Sequence, residues 1–475
     1  MENFNNTLRD YIKESGYSIT KFAEKCNIDR AWLSNVLSGR KQLSSSKFDN
    51  IIESNIFDSN QIDTLKTLYN KKEFTEEEIE KIEYILSRVS RKNRRNECII
   101  PVQIDKEKRM HFGKLKVLSH LYDLLENSDE YSLVYTNIPS ASEEAIDILH
   151  HFLSLECNKN KDYRHIFFTN DGSDTRNLNT YFTICDFAEL GFSNMVVIKN
   201  INLTSMETND FFPYYLLTDK KMILFDSYFN NAIITVDENI VNIYLQKFMK
   251  LFDKGEKTVV QFENGIELMR TLSTMHDSTS ELSFTPDFCI TPLLDYDILS
   301  SNAAPNLPNK ELLIQAVLNH YNMDYSKFYN FITMESLDRF VKDGTIYEIP
   351  RTYLKPINLD GRIKLLKKIK DNIETAKYYK SYIFNPTKLE YNSFDIQMEK
   401  IGAVGICGIR QNHKGDDDSF MGEWLCTVSD SNIYSDFLKF KEYVVLTSVV
   451  YSDEFSSQYV GNLIKELEVQ SEANK

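Results

Sequence analysis

The apolar positions of this chain follow two rhythms. Up to about residue 90 they recur every three or four residues, the period of helices with one buried face; beyond residue 130 short apolar runs alternate with helical stretches. Leu8, Tyr11 and Ile12 predict a first helix. In Ser18–Gly39, Phe22, Ala23 and Cys26 form the inner face of a short helix, and Ile28, Leu33 and Val36 line a tight turn and a second helix. Ser18 and Asp29 are placed as N-caps, and Gly39 as the left-handed residue that closes the second helix. Ser46–Ile52 and Gln61–Tyr69 complete a bundle of four or five helices. A longer helix begins at Thr75, with Glu78 completing a capping box and Phe74 and Ile79 spaced as a staple. Its stripe is Ile79, Ile82, Leu86 and Val89, with Glu at its start and Arg at its end, as the helix dipole prefers. The stripe fits half of a dimer seam or a face packed on the bundle. The run that follows (Arg88, Arg91, Lys92, Arg94, Arg95) reads as a charged linker, with a DNA-backbone contact as the alternative.

The remainder predicts a helix over His111–Leu125, a strand over Ser132–Ile138, a helix over Ser142–Cys157, and strands at His165–Thr169 and Met195–Ile201. Pro213–Val236 reads as paired strands, followed by a helix with Ile240, Tyr244, Phe248 and Phe252 on one face. Pro, Ala and Asn at 300–310 suggest an internal boundary. Helices follow from about Asn309, from Met334 and from Gly361, then strands at Tyr382–Phe384, Phe394–Met398, Val404–Ile409 and Trp424–Val428. A last helix carries Ile433, Phe437 and Phe440. Ala232–Phe252 and Trp424–Val444 share one order of strand, acidic turn and aromatic-faced helix, which suggests a degenerate duplication.

Length and charge refine this picture. At 475 residues the chain exceeds one core, so two or three domains are expected. Residues 1–100 carry 17 Lys and Arg against 16 Asp and Glu, or +1 of a net −15; the rest therefore carries −16. An acidic body confines contact with DNA to the N-terminal part, although ordinary solubility explains the same charge. Seven scattered cysteines with no CxxC fit a reducing cytoplasm. No apolar run is long enough to span a membrane, and the first residues do not form a signal peptide.

Ser18, Phe22, Ala23, Ile28, Leu33, Ser34, Val36 and Gly39 stand at the offsets of a known pattern, and this stretch resembles the Cro/CI-type (XRE family) helix-turn-helix. Ile19, Asn27 and Asp29 depart from it, replacing Gln, Gly and Ser or Thr; Ile19 removes a phosphate contact that the family makes. The resemblance covers about the first 70 residues and implies that the second helix lies in the DNA major groove. Arg30, Ala31 and Asn35 would then face base edges, Arg suiting guanine and Asn adenine. Trp32 touches a thymine methyl or packs toward the fourth helix. Arg40 and Lys41 suit phosphates, as do Ser18 and Lys21, for which a solvated face is the plainer reading.

The body resembles, more loosely, the phospholipase-D fold used without catalysis in the sensor half of TrmB-type regulators. The resembling parts are 132–169, the strands around Lys220–Asp226 and the strand-helix ending each half. An α/β sensor fold of another kind fits the same elements. The catalytic signature of that fold is H-x-K-x4-D, and no His-x-Lys occurs here, which argues against phosphodiester chemistry. His150 and His151 point about 100° apart on a helix. Gly402, Gly405 and Gly408 mark close strand packing rather than a phosphate loop. Asp416, Asp417 and Asp418 read as a solvated turn rather than a calcium site.

These observations define a multidomain α/β (α+β) chain. Residues 1–72 form an all-α helix-turn-helix bundle, 73–96 a linker helix, and 97–300 and 301–475 two degenerate halves of an α/β sensor-like body. The expected function is sequence-specific transcriptional regulation in the cytoplasm. The expected partners are double-stranded operator DNA, a second copy in a homodimer, and a small-molecule or peptide effector. No catalytic set, metal site or cofactor is expected. The alternatives are an enzyme or an interaction scaffold that carries a helix-turn-helix head.

Overall fold

The computed structural model describes residues 4–90, 108–126, 133–138, 280–285, 328–346, 353–375, 379–391, 395–399, 403–409 and 423–473. It also describes 162–262 except 171, 173, 190, 200, 204 and 207–209, and 290–320 except 306 and 308. The helix expected over Ser142–Cys157, the histidines at 150 and 151, the basic run 91–95, Gly402 and the acidic turn 416–418 lie outside the described residues.

Five helices open the chain: α1 (Phe4–Glu14), α2 (Ile19–Lys25), α3 (Arg30–Leu37), α4 (Ser45–Glu53) and α5 (Ser59–Lys71). They enclose a core of their own, with Leu8, Phe22, Leu33, Val36, Ile51 and Leu65 fully buried. The rings of Phe48 and Tyr69 stack at 3.9 Å, and Phe4 meets both edge-on.

Helix α6 (Glu76–Val89) carries the capping box its sequence requires. Thr75 Oγ1 accepts from the Glu78 N–H, and the Glu78 carboxylate accepts from the Thr75 N–H. Its apolar stripe is not left over for a dimer seam, nor does it pack on the bundle as a separate linker. Ile82, Ile85 and Val89 are fully buried in the main core of the α/β part.

Among the described residues, that part contains two sheets. The first has eight strands: β1 (Met110–Phe112), β2 (Leu133–Thr136), β3 (Asp162–Phe168), β4 (Met195–Ile198), β5 (Tyr214–Thr218), β6 (Met222–Phe225), β7 (Asn231–Thr235) and β8 (Glu256–Lys257). The second has seven: β9 (Val259–Phe262), β10 (Ser280–Phe284), β11 (Phe328–Ile332), β12 (Tyr379–Ile383), β13 (Asp395–Glu399), β14 (Ala403–Ile409) and β15 (Glu423–Val428). The helices between and after them are α7 (Lys114–Glu126), α8 (Thr175–Glu189), α9 (Glu238–Phe252), α10 (Tyr296–Asn302), α11 (Lys310–His320), α12 (Met334–Asp343), α13 (Leu359–Thr375), α14 (Ser431–Leu446) and α15 (Asp453–Ala473). The α/β part is thus a mixed fold of parallel and antiparallel strands.

The strand orders repeat. The first sheet runs β1-β7-β6-β5-β2-β3-β4 and the second β9-β15-β14-β13-β10-β11-β12; β8 is an added edge. In each, the three strands at one end are parallel and the other neighbours antiparallel. In each, the helix after the last strand is capped by an aspartate, Asp237 or Asp430, whose carboxylate accepts from two N–H groups of the first turn. The two units stack in the same sense. In the first, α8 bridges parallel strands on one face and α9 covers the other. In the second, α12 and α13 cover one face with α10 and α15, and α14 covers the other. The shared middle layer therefore holds α8 from the first unit and α14 and α6 beside it.

Several expected boundaries move for physical reasons. The change of sheet falls at Thr258, because β9 and β10 belong to the second sheet although they precede 300. The run at 300–310 joins α10 to α11, two helices on one face. His111 lies in β1 rather than in the helix expected to start there, since Gly113 adopts φ 96° and breaks the chain before α7. On α9 the buried face is Val241, Phe248 and Phe252, leaving Ile240 outside.

Helix α8 is buried over 11 of its 15 residues, as only a helix covered on all sides is. Its threonines Thr180 and Thr183 satisfy their hydroxyls by donating back to the carbonyls of Arg176 and Asn179. Two charge pairs key α6 into this layer. The Arg88 guanidinium donates to the Asp186 carboxylate at 2.6 Å and to the Phe182 carbonyl at 3.2 Å, with 2% and 10% of the two charged side chains exposed. Lys81 lies 3.4 Å from Asp436 on α14 and 2.9 Å from Glu77. Removing one member of a buried pair strands the other charge, whereas replacing both by apolar groups does not. Asp186→Asn should therefore lower the unfolding free energy by about 3–5 kcal/mol in urea titration. The double variant Arg88→Met with Asp186→Leu should recover most of that loss.

Burial pushes the Asp436 carboxyl up to about 6, with the Lys81 ammonium only partly opposing it. A carboxyl raised above its unfolded value stabilises the fold below about pH 4, and that contribution is lost as the pH rises through about 6. Between about pH 4 and pH 7 the native chain should lose on the order of 1–3 kcal/mol more stability than Asp436→Asn. Parallel urea midpoints for the two proteins across that range would contradict this.

Candidate nucleic-acid interface

The N-terminal bundle places the expected contact residues around α3. Ser18 caps α2, its Oγ accepting from the Lys21 N–H at 3.3 Å. The chain then turns through Asn27, which takes φ 52°, a conformation asparagine tolerates where glycine is absent. The Ile28 N–H donates to the Ala23 carbonyl at 2.8 Å, which seats Ile28 in the core between the two helices. Asp29 caps α3, accepting from the Trp32 N–H at 2.7 Å. At the far end Gly39 takes φ 74°, and the Arg40 and Lys41 N–H groups both donate to the Asn35 carbonyl, at 2.8 and 3.2 Å. The guanidinium of Arg9 on α1 donates to the Leu37 carbonyl, satisfying another free end of α3.

Leu33, Val36 and Leu37 of α3 face inward. Arg30 and Ala31 are exposed, Asn35 is half-buried at the flank, and Ser18, Lys21, Arg40 and Lys41 are exposed around them. The expected residues thus lie along α2, α3 and the turn that follows, all exposed except half-buried Asn35 and Trp32. Trp32 packs against the bundle core, and the Lys47 ammonium of α4 sits 3.6 Å from the centroid of its ring. Of its two expected placements, Trp32 takes the one toward α4. Ser34, not among the expected contacts, lies four residues after Arg30 on the same face and is exposed.

The body meets the bundle from another side. Thr67 Oγ1 on α5 lies 3.2 Å from Ser448 Oγ, the Asn70 amide donates to the Leu446 carbonyl, and Phe74 meets the Tyr443 ring edge-on. The outer residues of α3 stay exposed in this arrangement.

Burial lowers His165 to about 3, so it is a neutral ring, 3.1 Å from the Tyr163 hydroxyl. Asp219, Lys221 and Asp226 repeat the spacing of H-x-K-x4-D with an aspartate in the histidine position. A carboxylate there lacks the neutral imidazole nitrogen that attacks phosphorus. Asp226 instead holds the β6–β7 turn, accepting from the N–H groups of Tyr228 and Asn230 and from the Asn231 amide. Among the described residues, no group of three or more His, Cys, Asp and Glu is placed to hold a metal, and no helix is long and apolar enough to cross a membrane.

No protein-family model and no curated protein matches this chain. Among solved structures it is similar to phosphatidylserine synthase from Haemophilus influenzae Rd KW20, at 9% identity and a TM-score of 0.26, over 84% of this chain and 98% of that one. It is also similar to polyphosphate kinase from Porphyromonas gingivalis, at 9% identity and a TM-score of 0.22, over 77% of this chain and 53% of that one. Overlays this loose define no shared site.

Asp29→Ala removes the side-chain cap of α3 and should destabilise the bundle by about 0.5–2 kcal/mol. Loss of helical signal at 222 nm on heating, compared with the native chain, measures it.

Proposed function

We propose that the chain is a sequence-specific DNA-binding transcriptional regulator of the cytoplasm, reading operator DNA through α3 as Cro/CI-type helix-turn-helix proteins do. The observation that carries this reading is the exposed face of α3. A capped helix presents Arg30, Ala31 and Ser34 as exposed side chains with half-buried Asn35 beside them, Lys21, Arg40 and Lys41 are exposed as well, and no described body element covers it. A helix in the major groove reads bases from its first turns, and flanking cations and N–H groups hold the phosphates. The net −16 of the region after residue 100 disfavours DNA elsewhere on the molecule.

One α3 spans too few base pairs for tight specific binding, so the active form is a homodimer on two half-sites roughly one helical turn, about 34 Å, apart. The α/β body, whose two repeated units resemble a sensor fold, supplies the dimer contact and the effector response.

Arg30→Ala and Asn35→Ala should each weaken binding to the gene's own upstream DNA by about 1–3 kcal/mol and relax sequence preference. The Lys41→Ala variant should weaken binding evenly across sequences and reduce the salt dependence by about one ion. Gel shifts at several salt concentrations separate these outcomes. Unchanged affinity in both of the first two variants overturns the assignment of α3.

A further inference from the structure

On the outer face of the first sheet, beyond the reach of α9, lies a cleft of about 410 Å³. Its walls are the edge strand β1, the segment leading into β5 and the β6–β7 turn. Four large apolar side chains stand around it in water: Phe211 is 89% exposed, Tyr228 75%, Phe112 62% and Met110 49%. Single exposed apolar residues are ordinary, but a contiguous group around one concavity marks a binding surface.

The fold aims these residues outward. Strand alternation buries His111, whose ring bonds His120 at 2.9 Å, so its neighbours Met110 and Phe112 must face the cleft. Tyr228 is thrust out by a turn that holds the next residue, Phe229, at φ 57°, while the Phe229 ring is buried 5.1 Å from Phe225. A bulky residue in the left-handed region is strained, and such strain persists where the surroundings impose it, often at sites that bind. The Asp226 carboxylate imposes it here, through its three hydrogen bonds across the turn.

The electrostatics select the occupant. The described lining holds two carboxylates, Asp210 and Asp226, and no lysine or arginine. Aromatic faces carry partial negative charge and attract cations, most strongly those too bulky and weakly hydrated to form tight ion pairs. Both Asp226 oxygens are already hydrogen-bonded, so it acts through its field, while exposed Asp210 stands at the rim. We propose that this cleft binds a small organic cation of the quaternary or alkylated ammonium class. The volume falls in the range of small-molecule sites. The proposal is independent of the DNA-binding reading, because it concerns another surface and its test involves no DNA.

The test titrates full-length protein, by calorimetry and by broadening of the ligand methyl signal, with choline chloride and with 3,3-dimethylbutan-1-ol, its neutral isostere, at constant ionic strength. Choline should bind at least about 10-fold more tightly than the alcohol. Phe211→Ala and Tyr228→Ala, which remove exposed rings and leave the core intact, should each weaken choline about 3- to 30-fold, and Asp210→Asn about 3-fold. Equal binding of choline and the alcohol would make the cleft merely apolar and overturn the proposal. So would choline binding that both aromatic variants leave unchanged, or no choline binding up to about 10 mM.

Discussion

The whole molecule depends on one shared layer, in which the inner faces of two sheets are covered by the same few helices. Because α8 serves both sheets, nearly every one of its positions must be apolar or internally hydrogen-bonded. The Arg88–Asp186 pair is the sharpest constraint in that layer. A buried guanidinium tolerates no position except beside its carboxylate, so the pair selects the seat of α6 more than it adds net stability. Since α6 follows the bundle directly, the bundle does not hang on a loose tether. It rests on the end of α14 and the residues just after it through Thr67, Asn70 and Phe74.

The two repeated units show how one local pattern serves two surroundings. Asp237 and Asp430 cap their helices alike, and each helix covers the face opposite the crossover helices. Yet α9 borders solvent and α14 is enclosed, because the units stack in the same sense and only one such face is internal. Ile240 and Ile243 on α9 remain exposed, whereas Ile433, Phe437 and Phe440 on α14 are buried. The aromatic cleft lies at the β1 edge of the first sheet.

Charge is distributed to match. Around α3 the exposed side chains are mostly cationic or neutral hydrogen-bonding groups, with Asp29, Glu24, Ala31 and Ile19 among them. Around the β6–β7 turn they are aromatic and acidic. The two surfaces belong to separate cores, the bundle's own and that of the α/β part.

The residues by themselves determined what local rules govern: the caps at Ser18, Asp29 and Thr75, the left-handed positions at Asn27 and Gly39, the period of each helix, and most strands of the body. These depend on hydrogen bonds and backbone sterics within a few residues, so they are legible without neighbours. The outward-facing residues of α3 were legible for the same reason, since helical period fixes which side chains share a face. The tertiary structure alone decided where α6 is buried, that Trp32 turns to Lys47 and α4, that the sheets divide at Thr258, and that Phe112, Phe211 and Tyr228 meet at one cleft. Each of these depends on partners distant in sequence, and an apolar stripe records only that it will be covered, not by what.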